Sequence, residues 1–252
     1  SAENQLMIHC GGETVERQQL WDCRVPEATK SYCPLPHSDM LEMVEDSIFR
    51  TFGADTVIDA AYGIANDGAR MFAVLGVNLD SDEHGISFGL RNSLDKEFSA
   101  GLAIGARVFV CDNLAFSSSG INVFRKHTPN IYRDIKTQID DAITLSTDEY
   151  RVISNGWDHM KEIPVDLDEG YEKIGLALGH GVLTPTQGSV AFEEWTQPSH
   201  REFEERNAFA LYQSFTEAAK KGTPALMMDR YPKIQDFFRG VMPGDVTINA
   251  LN

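Results

Sequence analysis

The chain has 252 residues, of which 42% are hydrophobic and 24% are charged, a composition typical of a globular protein long enough to bury a core. No apolar run approaches the roughly 20 residues that span a bilayer, which argues against a membrane protein. The formal net charge of −16 argues against a general nucleic-acid coat, because phosphate binding relies on Lys and Arg. The start, SAENQLMIHC, lacks the basic and apolar regions of a secretory signal, so we expect a cytoplasmic protein.

The first 37 residues are expected to be irregular or β-like, because Pro26, Pro34 and Pro36 interrupt any periodicity. The first helix is predicted over Asp39–Phe52, with Asp39 and Glu42 as a capping pair. A three-stranded antiparallel meander should follow, since Asn66-Asp67-Gly68 is a strong hairpin signal. Its strands are predicted over Thr56–Ile64, Arg70–Leu79 and Gly85–Leu90.

Beyond the meander, Ser99–Ile104 is predicted as a short helix, and Arg107–Cys111 and Ile121–Phe124 as strands. Thr128 and Pro129 then suit the start of a helix that runs to about Lys161, or of two helices broken near Ser146. Isoleucines repeat along it at every fourth position: Ile131, Ile135, Ile139 and Ile143.

Further helices are predicted over Asp168–Leu178, Ser199–Lys221 (with a Ser199/Glu202 capping box) and Asp229–Phe238. The stretch from His180 to Pro198 is expected to be a long loop with β character near Val190–Trp195, and Met242–Asn252 a loose end. The predicted fold class is α+β, with an antiparallel sheet in the N-terminal half packed by helices and a mostly helical C-terminal half. We expect one domain over residues 1–252, with an irregular segment (1–37), a β-rich core (38–128) and a helical part (129–240).

Cysteines are concentrated near the start of the chain. Cys10, Cys23 and Cys33 lie close to His9 and His37, which are residue types that bind zinc. Their spacing contains no C-x-x-C pair, so free thiols in a reducing cytosol are the favoured interpretation. Whether these five residues bind a metal stays open, and no motif predicts a cofactor.

The most informative feature is a basic island inside this acidic chain. Residues 85–140 carry seven Lys/Arg against five Asp/Glu, whereas the rest of the chain carries 15 against 33. Like charges held together favour an anionic partner. Arg125-Lys126-His127-Thr128, just before a predicted helix, is the strongest anion-binding candidate. The predicted nucleic-acid contacts are Arg91, Lys96, Arg107, Arg125, Lys126, His127, Arg133 and Lys136.

Other candidates for chemistry have weaker signals. Gly101-x-x-x-Gly105 lacks the Gly-Lys-Ser/Thr of a P-loop, and close helix packing explains it better. A thiol nucleophile at Cys111, with His127 as base, matches no familiar order of catalytic residues. Phe116 and Phe124 are candidates for base stacking, although such residues more often belong to the core. We therefore predict no catalytic site.

The central run LRNSLDKEFSAGLAIGARVFVCDNLAF, followed by RKHT, resembles the phage- and plasmid-borne proteins grouped as domain of unknown function 932. PLPHSDMLEMVEDSIFRTFG and NAFALYQSFTEAAKK are similar to the same family, so the resemblance extends from about Pro34 to Lys221. It implies a protein of a prophage, plasmid or other mobile element, at work in the bacterial cytoplasm. It implies no particular activity.

A fainter resemblance in topology is to the Rad-type single-strand annealing proteins, which share the order of a helix, a three-stranded meander and a second helix. It implies a DNA-binding protein, with VFVCDN departing from the pattern because it reads as a strand. We therefore expect a non-enzymatic protein that binds single-stranded DNA. A homo-oligomer is compatible with this function, and no membrane partner is expected. The alternative is an acidic interaction protein that mimics DNA or inhibits a host protein; a nuclease or other hydrolase is a third hypothesis.

Overall fold

A seven-stranded antiparallel sheet and six helices form the part of the chain that the computed structural model describes, which is residues 12–79, 84–108, 113–116, 122–221 and 224–241. The strands are β1 (Glu13–Val15), β2 (Ile58–Ala65), β3 (Arg70–Val77), β4 (His84–Ser93), β5 (Ala100–Val108), β6 (Asn113–Phe116) and β7 (Asn122–Arg125). The helices are α1 (His37–Phe52), α2 (Ile131–Lys161), α3 (Leu167–Gly179), α4 (Pro185–Thr196), α5 (Ala208–Ala219) and α6 (Pro224–Val241). The predicted α+β class is confirmed.

The strands follow one another across the sheet from β1 to β6, and the outer side of β5 is shared by two short strands. β7 pairs with residues 100–103 of β5 and β6 with residues 105–108. Residues directly opposite in an antiparallel pair share a face, so Leu75, Phe88 and Ile104 lie on one side. Helix α2 packs against β5 and β7, and Phe52 of α1 contacts the ring of Phe88.

The meander is confirmed, including the turn after β2, where Asn66, Asp67 and Gly68 all have positive φ. The short helix predicted over Ser99–Ile104 is wrong, because this stretch begins β5. Large and small residues alternate there with a period of two, as in a strand, so the large ones lie on one face of the sheet and the small ones on the other. The small residues permit close packing on their face. The spacing of Gly101 and Gly105 therefore belongs to a strand, where they lie opposite Arg91 and Ser87 of β4.

Helix starts differ from the predicted caps. Helix α1 begins at His37 after Pro36, without a side-chain cap, so the Asp39/Glu42 capping pair is wrong. Helix α2 begins at Ile131 and continues through Ser146 as one helix of 31 residues. Its four isoleucines, at 131, 135, 139 and 143, are all buried, as their spacing predicts.

The C-terminal half is more helical than predicted. The expected loop around Val190–Trp195 is helix α4, which Thr184 and Gln187 open as a reciprocal capping box. The helix predicted over Ser199–Lys221 is instead a 3-10 turn at Arg201–Phe203 followed by α5, because Asn207 caps α5. Within the described ranges, no helix is both long and apolar enough to cross a membrane.

Candidate nucleic-acid interface

A cleft of roughly 410 Å³ opens where three separate segments meet. They are the segment before α1, the turn between β4 and β5, and the connection from β7 to α2. The lining is rich in hydroxyl groups, lysines and aromatic rings: Ser31, Tyr32, Lys96, Glu97, Phe98, Ser99, Lys126, His127 and Thr128. Two of the predicted cations, Lys96 and Lys126, therefore meet in one place although 30 residues separate them in the chain.

The turn that carries Lys96 is held in place by Asp95. The carboxylate of Asp95 accepts hydrogen bonds from Asn66 at 2.8 Å and Arg70 at 2.7 Å, and from the hydroxyl of Ser93. Burial alone would raise the pKa of Asp95, but these bonds lower it to about 2, so the group stays ionised. Lys96 itself has a φ of +67°, a left-handed conformation that is uncommon outside glycine.

The positive charge of the cleft is only partly balanced. Glu97 is the one carboxylate among the described lining residues, and Arg70 lies 3.4 Å from it. No described carboxylate lies within ion-pair distance of Lys126, which is exposed. The ammonium of Lys96 lies 4.4 Å from the centroid of the Tyr32 ring, a cation–π contact. The cleft thus presents two lysines to an anion.

His127 has a structural role, and it does not contribute the positive charge that the sequence predicted for it. Its Nδ1 accepts a hydrogen bond from the backbone N–H of Leu35 at 3.1 Å, and its Nε2–H donates to Asn92 at 2.9 Å. Burial lowers the pKa of His127, so the neutral ring is favoured. Sequence reasoning grouped it with Arg125 and Lys126, whereas the fold turns this one side chain inward.

The remaining predicted contacts spread outward from the cleft. Arg125 is exposed at the end of β7, next to Lys126. Arg133 and Lys136 are exposed on the first two turns of α2, and Arg133 lies 3.4 Å from Asp134. These three residues extend the positive surface on the α2 side.

Two predicted arginines lie on the sheet. Arg91 is in β4, and its guanidinium lies 5.5 Å from the ring centroid of Phe98, which also lines the cleft. Arg107 is near the end of β5, opposite Gly85 of β4. The structure therefore brings Lys96 and Lys126 together and places Arg91 against Phe98 of the same cleft, whereas the side chain of Arg107 is not among the described ones.

The zinc hypothesis loses His37, one of its five residues. The Nε2–H of His37 donates to the carbonyl of Gly68, and its Nδ1 accepts from Asn92, so both ring nitrogens are occupied. Cys23 packs beside Gly68 and Cys33 is partly buried, each as a free thiol. Cys10 and His9 lie outside the described residues, and within the described ranges no group of three metal-binding side chains occurs.

Two further sets of predicted features remain. Cys111 lies outside the described residues, as does the tail from Met242. Phe116 and Phe124 lie on β6 and β7, opposite Gly105 and Gly101 of β5.

Sequence reasoning missed Tyr32 and Asn92. Tyr32 lies in the segment that was expected to be irregular. Asn92 lies just beyond the predicted strand Gly85–Leu90, but β4 extends through it and its side chain is fully buried. Its side chain joins His127, His37 and the carbonyl of Leu35, and so fixes the back of the cleft. No family model matches the chain, and no curated protein or solved structure shows significant similarity to it.

Proposed function

We propose that this protein binds single-stranded DNA without acting as an enzyme, and that the cleft is the centre of the binding surface. The observation that supports the proposal is the convergence of Lys96 and Lys126, from two distant loops, on a cleft that also exposes hydroxyl groups. Ammonium groups pair with phosphate, and hydroxyl groups of Ser31, Ser99 and Thr128 can donate hydrogen bonds to its oxygens.

The charge distribution favours a localised contact. A strand seated in the cleft would continue past Arg125 towards Arg133 and Lys136 on α2. The acidic remainder of the chain repels phosphate, so the strand would be held to this one path. Single-stranded DNA suits a cleft with aromatic walls, since its bases are free to leave the stack.

The biological setting belongs to the same proposal. The resemblance of the central motif to domain of unknown function 932 supports a role in a prophage, plasmid or other mobile element in the bacterial cytoplasm. A part in DNA annealing or recombination rests on the basic cleft alone, because the second helix of the Rad-type order is replaced by strand β5 in this chain. Assembly into a homo-oligomer is a part of this proposal that gel filtration with and without DNA would test.

Fluorescence anisotropy with a labelled oligonucleotide tests the binding proposal. Binding should weaken as salt rises, because phosphate contacts release counterions. The double variant Lys96→Glu/Lys126→Glu should lose affinity by about tenfold or more at low salt, since two charge-assisted contacts become repulsive. The control is Lys233→Glu, an exposed position on α6 with the same change of charge per site. Equal affinity of wild type and the double variant would rule out the cleft.

The alternative, an acidic protein that mimics DNA, also has an observation in its favour. Residues 162–221 carry eleven Asp/Glu against five Lys/Arg, and Glu202, Glu204 and Glu205 are exposed there. Such a surface would occupy a basic DNA-binding protein of the host. Competition separates the two functions: a mimic would be displaced from its partner by added duplex DNA and would not itself bind the labelled oligonucleotide.

A further inference from the structure

Tyr32 is a rigid aromatic ring in the wall of the cleft. Its hydroxyl donates a hydrogen bond of 2.9 Å to the carbonyl of Leu94. The ring stacks on His127, with centroids 5.6 Å apart and planes 10° from parallel. Because His127 is itself fixed through Leu35 and Asn92, the Tyr32 ring is supported by the core.

Only 7% of Tyr32 is exposed, and the Lys96 side chain lies over its ring. Lys96 is exposed, and its ammonium rests 4.4 Å from the Tyr32 centroid. A cation–π contact at an exposed site is weak compared with a charge-assisted hydrogen bond to phosphate. When phosphate enters the cleft, Lys96 therefore gains more from the phosphate than from the ring.

We infer that Tyr32 is a stacking platform for one unpaired nucleobase. On binding, Lys96 leaves the ring to pair with a backbone phosphate, and a base takes its place over Tyr32. The fixed hydroxyl and the fixed His127 keep the ring in position, so little conformational entropy is lost when the base stacks. This inference rests on the proposed function and names the ligand more closely: single-stranded nucleic acid that presents a base, not a polyanion in general.

Base stacking on a protein ring changes affinity by roughly 5- to 150-fold for each base. The test compares an intact oligonucleotide with an abasic one of equal length and equal phosphate number, both bound to the wild-type protein. We expect the abasic strand to bind at least fivefold more weakly at the same salt concentration. The slope of log affinity against log salt should be the same for both strands, because the phosphates are unchanged.

Two variants assign the effect to Tyr32. Tyr32→Leu should bind the intact and the abasic strand equally well, whereas Tyr32→Phe, which keeps the ring, should still prefer the intact strand. Lys96→Met should keep that preference while the salt slope becomes shallower by about 0.7, the value for one contact to a single strand. The abasic comparison uses only the wild-type protein, so it stands even if Tyr32→Leu fails to fold.

The outcomes separate this inference from the proposed function. Equal binding of intact and abasic strands overturns the stacking platform but leaves DNA binding standing. A preference for the intact strand that persists in Tyr32→Leu overturns the assignment to Tyr32. No binding of either strand overturns both proposals.

Discussion

Gly170, on helix α3, lies directly against the indole of Trp195. A Cβ atom at this position would lie 2.7 Å from Cζ2 of the ring, and closer still to Nε1 and Cε2. The ring has little room to retreat, because only 1% of Trp195 is exposed. Its Nε1–H donates a 3.0 Å hydrogen bond to the carbonyl of Leu167, and the guanidinium of Arg206 lies 4.5 Å from the ring centroid. We therefore predict that Gly170→Ala strongly destabilises the protein.

The size of the effect follows from three contributions. Inserting a methyl group into a packed site costs about 1–3 kcal/mol, and the short distances here favour the upper end. Displacing the indole also weakens its hydrogen bond to Leu167, at a cost of about 1 kcal/mol. Alanine has a higher helix propensity than glycine, which offsets this loss by about 1 kcal/mol. The expected net loss is about 3 kcal/mol in the free energy of unfolding.

Gly175→Ala is the matched control, since Gly175 lies on the same helix with nothing within 4 Å of the added Cβ. This variant should gain about 1 kcal/mol from helix propensity alone. Urea denaturation followed by circular dichroism measures both, with the slope checked for constancy. If Gly170→Ala were as stable as wild type while Gly175→Ala gained stability, the steric reasoning for Trp195 would be refuted.

Further predictions concern acid stability, the β2–β3 turn and the core. Burial lowers the pKa of His37 to about 4, whereas in the unfolded chain the ring has its ordinary pKa of about 6.5. As pH falls below about 6.5, the unfolded chain therefore binds a proton before the folded chain does. The free energy of unfolding keeps the full contribution of neutral His37 above that pH and loses about 3 kcal/mol by pH 4. Urea midpoints at several pH values should show this loss in wild type and a smaller one in His37→Gln. Gly68→Ala should cost about 1–2 kcal/mol, because φ is +80° and the new Cβ would lie 3.0 Å from Sγ of Cys23; an unchanged thermal midpoint would contradict this. Ile139 is fully buried on α2, so Ile139→Ala should lower the free energy of unfolding by about 2–5 kcal/mol. Leu145 is 53% exposed on the same helix, so Leu145→Ala should change it by no more than about 0.5 kcal/mol. Similar losses in the two variants would contradict the difference in burial.

Local patterns in the sequence predicted the elements that depend on short-range chemistry. Asn66-Asp67-Gly68 favours a turn because these residues tolerate positive φ, and the turn is present. The isoleucines of α2 have the spacing of one helix face, and that face is buried. Both signals depend on residues a few positions apart, so they can be read without knowledge of the rest of the fold.

Prediction failed where long-range packing decides. The stretch Ser99–Ile104 contains Gly and Ala in a pattern that also suits a helix, and pairing with β4 on one side and β7 on the other makes it a central strand. Helix α4 was missed as well, since the stretch from His180 to Pro198 was expected to be a loop. Gly188 in fact allows close approach of Leu178, and Pro185 occupies the first helical position.

For the candidate site, composition alone identified a basic island and named Lys96 and Lys126 as possible contacts. It could not show that these two side chains share a cleft, that His127 turns inward to Asn92, or that Tyr32 forms the wall. Charge is a property of each residue and is visible in the chain. Convergence depends on how β4, β7 and the segment before α1 pack together, which distant contacts determine and neighbouring residues do not.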